Sequence, residues 1–409
     1  MESDKKGLMA MLIKGEYLID GTGAPPIRKG VVLLNEGIIT AVGPLDAIDV
    51  PRDVAVIDCC GDTLLPGLID SHTHTTLNSF VKSSPMEQGR TEEARMALRG
   101  AYNLRMDILS GVTFSRSLGE PIPFLDLALR DAVKDGVIPG PTLMTAGRAF
   151  RPSHGTGSLV GYDCDGADAL QKAVRENVAS GVEWIKLIVT NVRHGQTLDG
   201  LRRGDLIPVP AYSQREISAA VEEAHNVGLK VAVHALGGPA MKWALECGAD
   251  SIEHANLAEE EDIGSFIEAD AWISTPNLYL FFDPESAFAD GPGWWSDRVE
   301  IARRKTADVL PKAMKAGVKV ALGADTRHGQ LWKEVRALVS LGVDPLDGIV
   351  ACTSAGAELC GCLDSRGTLS PGKVADIISV QGDPTKDIDA LGRVNLVMKQ
   401  GIVYKHIAS

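Results

Sequence analysis

The sequence predicts an α/β protein: a TIM-like (β/α)8 barrel carrying a small β-sandwich formed from both chain termini. Three observations lead there. The middle of the chain alternates short apolar segments with helical ones, the grammar of a parallel sheet or barrel, and eight such segments is the count a closed barrel requires. Both ends read instead as short strands separated by turn residues. Residues able to bind a metal recur at the ends of the central strands, where barrels of this kind carry their active sites.

At the N-terminal end the strand candidates are 11–13, 30–34, 38–42 and 54–57, with turn chemistry at 21–26 and at Asn35-Glu36-Gly37. The C-terminal candidates are 375–380, 394–398 and 402–404, the last two joined by Lys399-Gln400-Gly401. Neither end alone has the strands to close a sheet, so the two are expected to meet in one sandwich. This divides the chain into a sandwich of residues 1–65 and 365–409 and a barrel of residues 66–364. Barrel strands are expected at 68–74, 112–115, 142–146, 184–189, 231–235, 251–254, 272–275 and 318–323. Helical periodicity appears between them, for example at 215–225 and at 299–315, the latter stopped by Gly317.

The first barrel strand carries the central motif, Leu64-Leu65-Pro66-Gly67-Leu68-Ile69-Asp70-Ser71-His72-Thr73-His74-Thr75. Alternate side chains of a strand share a face, so His72 and His74 point the same way and could hold one ion. The pattern equally describes a strand ending in two surface histidines, so the pair needs partners further along. They follow: Lys186 lies in the fourth strand, His234 ends the fifth, His254 ends the sixth and Asp325 ends the eighth.

Composition bounds the rest. A chain of 409 residues with 44% hydrophobic content can bury an extensive core. Its net charge of -13, without a basic block, argues against a nucleic-acid or anionic-membrane partner. The seven cysteines are scattered and contain no Cys-x-x-Cys pair, as expected of reduced thiols in a cytoplasmic protein. The apolar run at 7–13 is cut off by Lys14 and Glu16, too short for a signal peptide or membrane span. A small-molecule substrate and a homo-oligomeric state are expected.

These motifs together resemble the amidohydrolase superfamily of metal-dependent hydrolases. The likeness runs from Gly21-Thr22-Gly23 through the His72-Thr73-His74 strand to Gly367-Thr368-Leu369-Ser370-Pro371-Gly372-Lys373-Val374-Ala375-Asp376-Ile377. Trp184-Ile185-Lys186 and Ser251-Ile252-Glu253-His254-Ala255 are most similar to the branch of imidazolonepropionase-related, Xaa-Pro-dipeptidase-like enzymes. The resemblance implies a distorted barrel with a terminal β-sandwich and two divalent ions, with zinc the expected metal. It implies that His72, His74 and Asp325 bind the more buried ion and that His234 and His254 bind the second. Lys186, carboxylated by carbon dioxide, would bridge them as a carbamate, a reaction open to a buried lysine whose amine is neutral. A hydroxide between two such ions is a nucleophile at neutral pH, and Asp325 could carry its proton to the leaving amine.

Each residue also has a plainer reading, Lys186 as a snorkelling strand lysine and Asp325 as a helix cap. Substrate contacts are expected from His154 in the Gly-rich loop 151–158, which resembles a His-Gly loop of the peptidase branch, and from His194, Tyr279 and His328. For these, a loop position without a role is the competing reading. Aromatic residues concentrated at 278–295 predict a lid, an apolar pocket wall or a packed contact. The expected activity is hydrolysis of an amide C–N bond in a dipeptide or N-acyl amino acid. A bulkier aryl amide, carbamate or lactone is the alternative, and a non-catalytic scaffold is the remote one.

Overall fold

Eight parallel strands form the centre of the molecule, at Leu68–Thr73, Val112–Ser117, Thr142–Thr145, Trp184–Ile188, Lys230–Ala235, Ser251–His254, Trp272–Ser274 and Val320–Ala321. This is a computed structural model, and it describes residues 10–78, 88, 91–192, 208–274, 277, 278, 282 and 293–407. The eighth strand returns to the first. Asp325 N–H donates to the His72 carbonyl at 2.8 Å, His74 N–H to the Asp325 carbonyl at 3.0 Å, and Ser71 N–H to the Leu322 carbonyl at 3.0 Å. The third strand reaches the fourth through Glu183 N–H on the Thr145 carbonyl at 2.9 Å and through an added strand, Ala149–Arg151. The predicted barrel is present with its eight strands where the apolar segments lie.

The strands read as continuous apolar runs because helices cover the sheet outside while side chains fill it inside. Inside, Trp184, Ala232, Trp272 and Ala321 pack in one cluster. Outside, Ile217, Ala220, Val221 and Ala224 show why residues 214–225 are helical: their i, i+3, i+4, i+7 spacing puts them on one buried face. That helix, Gln214–His225, starts at Ser213, whose hydroxyl accepts from Glu216 N–H while the Glu216 carboxylate accepts from Ser213 N–H. The predicted helix at 299–315 belongs to a longer one, Gly293–Lys315.

Strands from both termini join one eight-stranded sheet. Its central strand, Ala55–Pro66, pairs in parallel with Met11–Leu18 on one side and antiparallel with Ile377–Gln381 on the other. Val394–Lys399 and Ile402–His406 extend the C-terminal half, and Gly30–Asn35 and Ile38–Pro44 the N-terminal half. Ile13, Val32 and Ile39 from one half share a hydrophobic cluster with Ile377, Leu396 and Met398 from the other. Two faces folded on one core make this a sandwich. Gly67 links it to the barrel where a Cβ would come within 2.2 Å of Thr113 Oγ1.

All seven cysteines are unpaired. Among the described residues no helix is long and apolar enough to cross a membrane.

Candidate metal centre

His72, His74, Lys186, His234, His254 and Asp325 line one cavity of about 220 Å³ at the C-terminal ends of the barrel strands. Sheet register aligns them. Ile188 is opposite His234 and Ala235 is opposite His254, so neighbouring strands deliver their polar ends at matching heights. The His72 and His74 Nε2 atoms are 3.4 Å apart, and His74 Nε2 is 3.6 Å from an Asp325 carboxylate oxygen. Ring centroids are 5.2 Å apart for His72 and His254, and 4.7 Å for His234 and His254.

Backbone conformation at this end of the barrel departs from the strand. His254, Ala255, Asn277 and Asp325 all have positive φ, at 79°, 49°, 52° and 56°. Each left-handed non-glycine residue costs on the order of 1–3 kcal/mol, and such residues collect where a site requires them. At His254 the consequence is direct. Alternation would send Glu253 and His254 to opposite faces, yet Glu253 bonds His72 while His254 lines the cavity.

Hydrogen bonds fix the ring states of the first pair. His72 Nδ1 is 2.8 Å from the Glu253 carboxylate, and His74 Nδ1 is 2.6 Å from the Gly119 carbonyl. Both partners only accept, so both rings carry a proton on Nδ1. Their Nε2 lone pairs then face each other at 3.4 Å, an arrangement that a cation relieves and a neutral void does not. Burial, reinforced by Lys186, lowers the His72 pKa to about 3, which keeps that ring uncharged. His234 is held well below the usual histidine range by burial and by His254 and Lys186.

Lys186 is 2% exposed, and its Nζ has no hydrogen-bond partner among the described residues. Burial lowers its pKa to about 8, so a neutral amine is within reach at ordinary pH. Burial pushes the Asp325 carboxyl upward, but the imidazoles of His74, His72 and His254 outweigh it and hold the group well below the usual carboxylate range. The Asn277 amide nitrogen lies 3.3 Å from Asp325 Oδ2 and 3.0 Å from His254 Nδ1. The ligand atoms of His72, His74 and Asp325 all fall within 4.8 Å of one another. An ionised carboxylate, a histidine pair whose Nε2 atoms converge and a buried amine without a partner among the described residues form a donor set that fits divalent cations.

The expected substrate contacts fare differently. His328 does not line the cavity: it is buried, with Nδ1 2.7 Å from Asp107 and Nε2 2.8 Å from the Leu77 carbonyl. The buried Asp107 carboxylate on the neighbouring helix draws the ring away from the cavity. His154 is exposed and outside the cavity wall, whereas Gly157, Leu159 and Val160 from the same stretch form part of it. His194 and Tyr279 lie outside the described residues, as does most of 278–295.

Several supporting residues were not legible from the sequence. Glu253 and Arg116 are fully buried beneath His72 and 2.9 Å apart. Glu120 accepts from the N–H groups and hydroxyls of both Thr75 and Thr76, which holds the turn after His74. Asp70 accepts from His72 N–H at 3.1 Å and Ala324 N–H at 3.0 Å, tying the first strand to the eighth. A carboxylate directly before a histidine at a strand end, as in Ser251-Ile252-Glu253-His254, was the available signal.

Comparison with known proteins agrees with this architecture. An Xaa-Pro dipeptidase crystallised with methionine in its active site superposes with a TM-score of 0.84 at 29% identity, covering 97% of this chain and all of that one. Ochratoxinase from Aspergillus niger is 25% identical over 96% of this chain and 86% of its own length. Imidazolonepropionase from Rhizobium rhizogenes is 27% identical over 87% of each. Residues 63–403 match the amidohydrolase family as a whole. The chain is a hydrolase and belongs to the amidohydrolase family.

Proposed function

We propose that this protein is a binuclear-metal hydrolase of amide C–N bonds, with dipeptides or N-acyl amino acids as its substrate class. The observation that carries the reading is the convergence of four histidines, Lys186 and Asp325 on one cavity. His72, His74 and Asp325 would hold one ion and His234 and His254 the other, with Lys186 as a carbamate between them. Zinc suits such imidazole and carboxylate donors. When bound, the ions would supply Lewis-acid polarisation of the scissile carbonyl and acidify water.

The remaining steps belong to the chain's own groups. Asp325, ionised among imidazoles, accepts the proton of the attacking water and returns it to the leaving nitrogen. Asn277, beside its other oxygen, limits its rotation. Leu77, Leu159, Val160 and Ile188 give the cavity an apolar wall that accommodates an apolar substrate group. The likeness to an Xaa-Pro dipeptidase over nearly the whole chain supports a peptide-like substrate.

One observation favours a second reading, a neutral aryl amide, carbamate or lactone. Among the described lining residues Lys186 is the one Lys or Arg, and on this reading it is committed to the ions. Hydrolysis of a panel of dipeptides, N-acyl amino acids and neutral aryl amides separates the two. The first reading expects the carboxylate-bearing compounds to be turned over best. Turnover of neutral amides alone would install the second.

A further inference from the structure

The two histidines of the His72-Thr73-His74 pair are held by different partners. His74 donates to a backbone carbonyl, whereas His72 faces the Glu253 carboxylate. That carboxylate belongs to a sealed network. Its other oxygen accepts from Arg116 at 2.9 Å and from the Ser251 hydroxyl at 2.7 Å. Arg116 in turn donates through Nε to the Ser71 carbonyl at 2.6 Å, on the strand that carries His72, and through Nη2 to the Ser274 hydroxyl at 3.2 Å. Its guanidinium carbon lies 4.3 Å from the Trp184 ring centroid. Arg116 and Glu253 are both fully buried, and neither lines the cavity.

We propose that Arg116 and Glu253 are positioning residues of the metal centre, acting through His72. Glu253 holds the His72 ring in the Nδ1-protonated form with Nε2 turned to the ion, and its charge makes that nitrogen a stronger donor than His74 Nε2. Arg116 fixes the Glu253 rotamer by pinning it to the first and seventh strands. Apolar replacements of similar size are often as stable as a buried ion pair of this kind, so stability alone does not account for it. Its function here is to orient and polarise one ligand, as carboxylates behind metal-bound histidines do. The inference rests on the metal-binding reading of the site and extends it from the ligands to the interior of the barrel.

A charge-neutral double variant separates positioning from packing. Glu253→Gln alone leaves Arg116 buried without its counter-ion and is expected to unfold readily. Glu253→Gln combined with Arg116→Met removes both charges and should melt within a few degrees of the parent. Its affinity for one of two Zn(II) ions, measured by competition with a chromophoric chelator, should fall by about 10–100-fold, the range for groups behind a metal-bound histidine, with the second ion little changed. Glu253→Asp keeps both charges but withdraws the carboxylate from His72. It should show the same selective loss and keeps the test open if the double variant fails to fold. Parental affinity for both ions in either folded variant overturns the inference while leaving the metal site intact. A parental protein that binds no Zn(II) stoichiometrically overturns the metal reading itself.

Discussion

At the residue scale, the site is built from groups whose chemistry is decided by what surrounds them. Lys186 is the clearest case. A buried ammonium without a hydrogen-bond partner is costly, and the same amine as a carbamate would become an anionic ligand between histidines. Lys186→Ala should therefore lose at least one metal equivalent and fall by more than 100-fold in kcat, with partial recovery on adding a short carboxylic acid. Recovery is read from activity and metal content together. Asp325→Asn retains shape but cannot accept a proton, and should lower kcat by about 10²–10⁴, the usual range for general acid–base groups. A loss confined to KM would assign Asp325 to binding instead. The candidate ligands were legible because the histidines and Asp325 stood at the ends of predicted strands and Lys186 lay within one. Glu253 and Arg116 were not, because their partnership spans 137 residues of sequence and no local pattern announces it.

At the scale of elements, strand ends and the turns after them are braced against each other. His328, in the turn after the eighth strand, bonds Asp107 on helix Glu93–Leu109 and the carbonyls of His74 and Leu77 after the first strand. Burial disfavours its charged form, but Asp107 outweighs burial and raises the pKa to about 9. A folded-state pKa above the ordinary value of about 6.5 means stabilisation that is complete below pH ~6.5 and lost as pH rises through about 9. Denaturation at pH 6 and pH 10 should show this loss, a few kcal/mol, and His328→Gln should reduce the difference between the two. An unchanged pH dependence in His328→Gln would place the titration elsewhere. The loop reading of His328 from sequence was right about its place in the chain. It missed the role because Asp107 lies 221 residues away.

Gly67 tests the junction between sandwich and barrel. A methyl group there meets Thr113, so Gly67→Ala should destabilise by about 1–3 kcal/mol as overpacking does. Urea denaturation of Gly67→Ala alone and with Thr113→Ala checks this, since relief in the double variant is expected from a steric cause.

At the scale of the whole molecule, the barrel brings together residues from position 72 to position 325 and the sandwich joins the two ends of the chain. Strand number and type were legible because parallel barrel strands are apolar on both faces and stand out as short runs. Less legible were the strand's extension to Arg116, the long central strand Ala55–Pro66 and the added strand Ala149–Arg151, which depend on pairing partners and not on local pattern. The substrate side of the cavity was the least legible part, because it is built from loops whose geometry follows no period.

The six proposed ligands come from five different barrel strands, which would make metal binding a property of the assembled fold, so the most direct test is metal stoichiometry by elemental analysis of the purified, active protein. The account predicts two divalent ions per chain, with at least one lost in each of His72→Ala and His234→Ala. Retention of two ions in both variants, or full amide hydrolysis by a metal-free protein, would contradict it.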